Sequence, residues 1–250
     1  MAVLSIDFKA AAAWLSDVDE APAPEPVVKV RYAPVGVRKR FEMPDGVERG
    51  PLKSWNSVAR DYVLSRGITA EQVATWDIGY SLMGRLAGRI VFPIVDSSGR
   101  LANYAARTFV NDETRYLAAD ELEGPELAAM LGERFWPVIT RSARTVVCFE
   151  GAVSGLALER AMRRAGLSAE LAGLQGSDVA NPRRAARLAT FGRVVCATDP
   201  DAAGERAYEE IVAMVGGKTE VVRLRYPSER DAADTPEADL ASALAKSFAV

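Results

Sequence analysis

The sequence predicts an α/β protein in which a small, mostly parallel sheet flanked by helices, residues 143–250, follows an α+β region, residues 27–142. Three observations carry that reading. After Arg144, short β-branched runs alternate with helical patterns four times in about 105 residues, the signature of repeated strand–helix units. Upstream, Gly88–Phe109 reads as two apolar runs around a Ser-Ser-Gly turn, a hairpin rather than a strand–helix unit. Ahead of both, APAPEP (Ala21–Pro26) breaks any helix and sets off residues 1–26 as an N-terminal arm and linker.

The elements follow in order. Residues 7–15 are alanine-rich, with Asp7 as a cap. The cluster Val37-Arg-Lys-Arg40 is basic, and fits a phosphate contact or a solvated loop equally well. Ser54 is expected to cap a helix carrying Val58, Tyr62 and Val63 and ending near Arg66-Gly67. Thr69-Ala-Glu-Gln72 is a capping box opening a second short helix through Trp76. Strands are expected over Gly88–Val95 and Leu101–Phe109, with Pro93 marking an edge or a bulge. Residues 121–134 read as helical, with Pro125 in the first turn, and the domain boundary falls near Ser142. Beyond it come strands at 145–149, 169–174, 193–198 and 219–225, and helices at 153–165, 182–190, 202–215 and 236–247.

Composition removes whole classes of chemistry. The chain has 250 residues and no histidine, which excludes Ser-His-Asp and Cys-His catalysis and any His-bearing zinc site. Its two cysteines, Cys148 and Cys196, lie inside apolar strand patterns and read as small buried hydrophobes in a reducing compartment. No zinc is expected. No apolar run is long enough to span a membrane and no signal peptide is recognisable, so a soluble, cytoplasmic protein is expected. The net charge of −3 is uneven: residues 27–116 hold 14 Lys/Arg against nine acids. A basic middle suits a polyanion, although the excess alone also fits ordinary surface charge.

The chemistry-bearing residues sit at strand ends. Thr145–Gly151 reads TVVCFEG and delivers Glu150; Arg193–Ala207 reads RVVCATDPDAAGERA and delivers Asp199 and Asp201. Strand ends of a parallel sheet open onto the crevice where ligands bind. Three carboxylates brought to one crevice repel unless a cation sits among them, and oxygen-only ligands suit Mg²⁺ or Mn²⁺. Phosphoryl or nucleotidyl transfer is the matching chemistry, with Glu150 either a ligand or a general acid/base. Asp231 and Asp234 add acids after the fourth strand. Asp-x-Asp ahead of a helix also serves as an N-cap. A haloacid-type phosphatase would want this pair on the first strand with a Thr soon after, and the dinucleotide fingerprint Gly-x-Gly-x-x-Gly is missing.

Glu-Gly after the first strand, Asp-x-Asp after the third and a later acid resemble a TOPRIM domain, shared by primases, topoisomerases and some nucleases. Gly173-Leu-Gln-Gly176-Ser177 resembles the Leu-Gly-Thr loop of primases. Upstream, Tyr62-Val-Leu-Ser-Arg-Gly67, Ile78-Gly79-Tyr80, Gly88-Arg-Ile-Val-Phe-Pro-Ile94 with Asp96 and Gly99-Arg100, Ala106-Arg107 and Arg115-Tyr116-Leu117 resemble the ordered motifs of bacterial and phage DNA primases. The resemblance holds in register from about residue 58 to 240.

It implies a primase catalytic core, in which an N-terminal α+β subdomain packs on the TOPRIM domain and primers are made on single-stranded DNA from ribonucleoside triphosphates. Catalysis and Mg²⁺ or Mn²⁺ binding would fall to Glu150, Asp199 and Asp201, with Asp231 and Asp234 as further ligands. Arg66, Arg89, Arg107 and Arg115 would line the basic side. A replicative helicase or a separate zinc-binding template-recognition subunit would act in trans, and a phage or plasmid origin would place the protein in the bacterial host cytoplasm. Ser154 and Ala118 depart from the pattern, standing where an acid and an asparagine are usual, and the Lys-x-x-x-Leu-Tyr-Gly segment is not recognisable in Glu123–Trp136. Those departures leave two alternatives open: a non-catalytic single-stranded-DNA-binding subunit of a replisome, and a TOPRIM nuclease. No segment remains for a topoisomerase's cleaving tyrosine.

Overall fold

The computed structural model describes residues 41–95, 100–110, 114–119, 144–174 and 182–249. Expectations for the arm, for Val37–Arg40, for the Asp96–Gly99 turn, for the 121–134 helix, for the Ser142 boundary and for Gly176-Ser177 lie outside those residues.

Two sheets form the frame. The first is antiparallel and runs in chain order: β1 (Val47–Arg49), β2 (Gly79–Ser81), β3 (Arg89–Val95), β4 (Leu101–Thr108) and β5 (Tyr116–Leu117). Between β1 and β2 lie α1 (Ser57–Ser65) and α2 (Ala70–Thr75). Asn56, not Ser54, caps α1, accepting from Val58 N; the Ser54 hydroxyl turns back to the Pro51 carbonyl in a 3-10 turn. A sequence with Ser54 and Asn56 two positions apart offers two caps, and the preceding turn uses up the first. At α2 the capping box is complete, with Thr69 and Gln72 bonded reciprocally. Strand β3 is internal, yet β2 pairs with it only as far as Val91, and the register shifts at Ile94/Val95. Pro93 therefore sits where one neighbour is already gone, next to the bulge.

The second sheet is parallel, in the order β7 (Glu170–Gly173), β6 (Thr145–Phe149), β8 (Arg193–Ala197) and β9 (Glu220–Arg223). Helices α3 (Ala152–Ala165), α4 (Pro182–Leu188), α5 (Ala202–Val215) and α6 (Glu237–Phe248) complete the strand–helix units. Strands β6 and β8 are central and covered on both faces, which is why TVVCF and RVVCA are nearly continuous apolar runs. Alternate residues serve different cores. Val147, Phe149, Val195 and Ala197 join α3, α6 and one face of the antiparallel sheet, whereas Val146, Cys148, Val194 and Cys196 face Leu188 of α4 and Ala207, Ile211 and Val215 of α5. The shared core also takes in Trp55, Trp76, Ile90 and Phe92, so the two sheets are built around common side chains.

Helix α3 reaches the sheet through Gly155, where a Cβ would lie 2.4 Å from the Phe149 ring. A buried polar latch ties α2 to α3. Glu159, fully buried, accepts from Gln72 Nε2 at 2.7 Å and Trp76 Nε1 at 3.1 Å, and Arg163 bonds its other oxygen at 2.8 Å.

Candidate functional site

Strands β6 and β8 are parallel neighbours in register, Phe149 opposite Ala197, so the residues just beyond them emerge side by side. Glu150 follows the first and Asp199 the second after Thr198. The Asp199 N–H donates to Glu150 Oε1 at 3.1 Å. Opposite them, the end of β4 and strand β5 bring Arg107, Arg115, Tyr116, Leu117 and Ala118. The two sheets thus enclose a cleft of about 340 Å³ walled also by Gly151, Ser154 and Asp231. Gly151 admits the Tyr116 hydroxyl, which would stand 3.2 Å from a Cβ there.

Electrostatics on the acidic wall are strained. Burial pushes the Asp199 carboxyl up to about 6, reinforced by Glu150, Asp231 and Asp201 and opposed by Arg115. Glu150 is raised as well, first by burial, with Asp201 adding to it and the Asp199 N–H and Arg223 working against it. Asp199 Oδ1 is buried without a hydrogen-bond partner among the described residues. An orphaned carboxylate oxygen on a wall that also carries Glu150 and Asp231 is the kind of hard oxygen donor a divalent cation takes.

The acids are arranged differently from the sequence expectation. Among the described residues no three acids stand together as a ready metal cluster. Asp201 is turned into the N-terminus of α5, accepting from Ala203 N at 2.9 Å and Gly204 N at 2.8 Å, the capping role open to any Asp ahead of a helix. Asp231 reaches the cleft wall, and its Oδ1 accepts from Asp234 N at 2.9 Å. Asp234 is exposed and pairs with Arg66 at 3.8 Å, outside the cleft lining.

The four arginines divide likewise. Arg107 is buried on the cleft wall, its Nε and Nη1 donating to the hydroxyls of Tyr62 at 2.7 Å and Tyr116 at 2.8 Å. Burial works against its charge and the two phenols outweigh it, leaving the guanidinium harder to deprotonate than usual. Arg115 is exposed on the same wall. Arg66 lies over the Tyr62 ring. Arg89, expected on the basic side, is 2% exposed and spends Nη1 on the carbonyls of Ala106 and Thr114. It pairs with Thr108 while its neighbour Ile90 pairs with Arg107, so the register puts it on the sheet face opposite the cleft.

Sequence reasoning missed the phenols that orient Arg107, and it missed Arg223. Both departures from the primase pattern, Ser154 and Ala118, line the cleft itself.

No protein-family model matches the chain, and no curated protein sequence matches it. Solved structures do. The DnaG primase catalytic domain bound to ssDNA is similar at TM-score 0.63 and 18% identity, over 80% of this chain and 72% of that one. The zinc-binding and RNA polymerase domains of the Aquifex aeolicus primase give TM-score 0.62 and 18% identity, over 78% of this chain. This chain spans 56% of the length of that structure. The primase fragment of the bacteriophage T7 primase-helicase protein gives TM-score 0.55 and 18% identity, over 84% and 83% of the two chains. The fold is that of a primase catalytic core. More particularly, it is the DnaG-like core, an antiparallel sheet joined to a four-stranded parallel one.

Proposed function

We propose that this protein is a DNA primase catalytic core that makes short RNA primers on single-stranded DNA by divalent-metal-dependent nucleotidyl transfer, with residues 27–142 as its basic subdomain and 143–250 as a TOPRIM domain. The observation that carries this reading is the facing of Glu150, Asp199 and Asp231 by Arg107 and Arg115 across one cleft on a DnaG-like frame.

Glu150 and Asp199, with Asp231 beside them, would hold Mg²⁺ or Mn²⁺. A bound divalent ion supplies charge neutralisation on the phosphates and activates the attacking oxygen. Arg107, fixed by two phenols, directs its remaining Nη2 to phosphate oxygens with little entropy left to lose. Arg115 draws the polyanion to the mouth of the cleft. Asp201 acts through its cap, holding α5 and the loop that carries Asp199. Template DNA and ribonucleoside triphosphates are the substrates; a replicative helicase or a zinc-binding template-recognition subunit acts in trans. A phage or plasmid type working in the bacterial cytoplasm belongs to the same proposal. Among the described residues no helix is long and apolar enough to cross a membrane.

A second reading is a non-catalytic DNA-binding subunit, favoured because among the described residues no three acids stand together as a metal cluster. One assay separates them. Single-stranded DNA, four ribonucleotides and Mn²⁺ or Mg²⁺ should yield short oligoribonucleotides that disappear in Asp199→Ala. Salt-sensitive DNA binding with no product in the parent protein would establish the binding subunit. Nicking without nucleotides would establish a nuclease, and product undiminished by Asp199→Ala would remove the metal assignment.

A further inference from the structure

Resting on the metal-site reading above, we infer that Arg223 is a positioning residue that clamps the loop presenting Asp199 to the cleft. Arg223 ends β9, opposite Cys196 of β8, and its side chain is only 8% exposed. It does not line the cleft. Its guanidinium instead reaches behind the loop between β8 and α5. Nη1 donates to Gly204 O at 2.9 Å and to Thr198 Oγ1 at 3.1 Å, and Nη2 donates to Asp199 O at 3.3 Å. The Thr198 hydroxyl donates in turn to Gly204 O at 2.9 Å, closing the loop on itself.

Both backbone groups of Asp199 are thereby fixed from opposite sides, the N–H by Glu150 and the carbonyl by Arg223. The loop is tight enough that a Cβ on Gly204 would fall 2.0 Å from the Asp199 oxygen. Three carbonyl and hydroxyl dipoles crowd one point there, and a fork of donors satisfies them together where a single-point cation would not. Glu205 at 3.3 Å and the Tyr208 ring at 5.4 Å seat the guanidinium from the helix side.

Removing Arg223 has opposite consequences under the two roles open to it. As a mere charge near the acids, it repels a cation, so its loss would tighten metal binding. As a clamp, it holds Asp199 in place, so its loss would weaken binding.

Mn²⁺ titration of the full chain followed by electron paramagnetic resonance reads the sign directly. Arg223→Met should weaken Mn²⁺ binding by about 10–100-fold, as loss of a supporting partner behind a metal ligand does, while Arg223→Lys falls between it and the parent. Unchanged or tighter binding in Arg223→Met would overturn the proposal. If Arg223→Met fails to fold, Arg223→Lys decides: weaker binding supports the clamp and parental affinity overturns it. Asp199→Asn belongs in the same series. If it binds Mn²⁺ as the parent does, the metal-site reading falls and the clamp with it, whereas weakened binding in Asp199→Asn alone removes only the clamp.

Discussion

Asp199 donates its backbone N–H to the side chain of Glu150 at 3.1 Å, so the acids ending β6 and β8 meet through a main-chain bond and not through a shared proton. The distinction matters. The peptide N–H favours the ionised form of Glu150 without offsetting the burial that raises this carboxyl, and it leaves the Asp199 carboxylate to face the cleft with an oxygen that no described residue satisfies. One acid is held and the other is kept in tension.

That tension is measurable as pH dependence. The Asp199 carboxyl sits at about 6 in the folded protein, against roughly 3.9 in an unfolded chain. A carboxyl raised by folding binds its proton more tightly in the native state. Its contribution therefore favours folding at low pH and is lost as pH rises from about 4 through 6. With solvent screening discounted, the penalty at neutral pH is on the order of 1 kcal/mol, or about 2–4 °C in Tm. In chelator-treated protein, Asp199→Asn should unfold at a higher temperature than the parent at pH 7.5 and at the same temperature near pH 4. Equal melting at both pH values would show that the acid is not strained.

Gly204 tests the loop geometry independently. A methyl group there would meet the backbone of Asp199, not a flexible side chain. Gly204→Ala must displace either the first turn of α5 or the loop, at a cost of about 1–3 kcal/mol. Thermal melting should fall accordingly, and Mn²⁺ affinity should fall with it. Parental values for both would mean the helix adjusts without moving Asp199.

The parallel sheet was legible because its central strands β6 and β8 are buried on both faces and read as continuous apolar runs, each followed by a helical pattern. Glu150 and Asp199 were legible for the same reason: position at a strand end determines where a side chain emerges. Asp201 and Arg89 were not. Whether an Asp caps a helix or faces a ligand depends on one χ1 rotation, and whether a strand arginine points in or out depends on register. Arg223 was hidden because its acceptors are carbonyl oxygens of a loop, to which no residue type in the sequence points.

The latch between α2 and α3 should carry stability without carrying chemistry. Glu159→Ala would leave the Gln72 amide and the Trp76 indole without their shared carboxylate, at about 1–3 kcal/mol. Urea unfolding followed by Trp fluorescence reads the loss. Residual Mn²⁺ binding per folded molecule should stay parental, because Glu159 does not line the cleft. A fall in that affinity would instead mean that α2 and α3 transmit strain to Glu150.

Arg115 and Arg89 make the sharpest contrast, since sequence reasoning grouped them together. Arg115 is exposed on the cleft wall, whereas Arg89 is buried and bonded to two carbonyls. If the cleft holds single-stranded DNA, Arg115→Ala should weaken binding and reduce the slope of log K against log salt by about 0.7, one phosphate contact for a single strand. Its melting temperature should not change. Arg89→Ala should do the reverse, because the Ala106 and Thr114 carbonyls lose a charged donor inside the core, about 1–3 kcal/mol of stability. Fluorescence anisotropy across a salt series, paired with melting curves, separates the two effects. An unchanged salt slope in Arg115→Ala would place the DNA elsewhere on the molecule. Exposure alone would then be a poor guide to which arginines meet the polyanion.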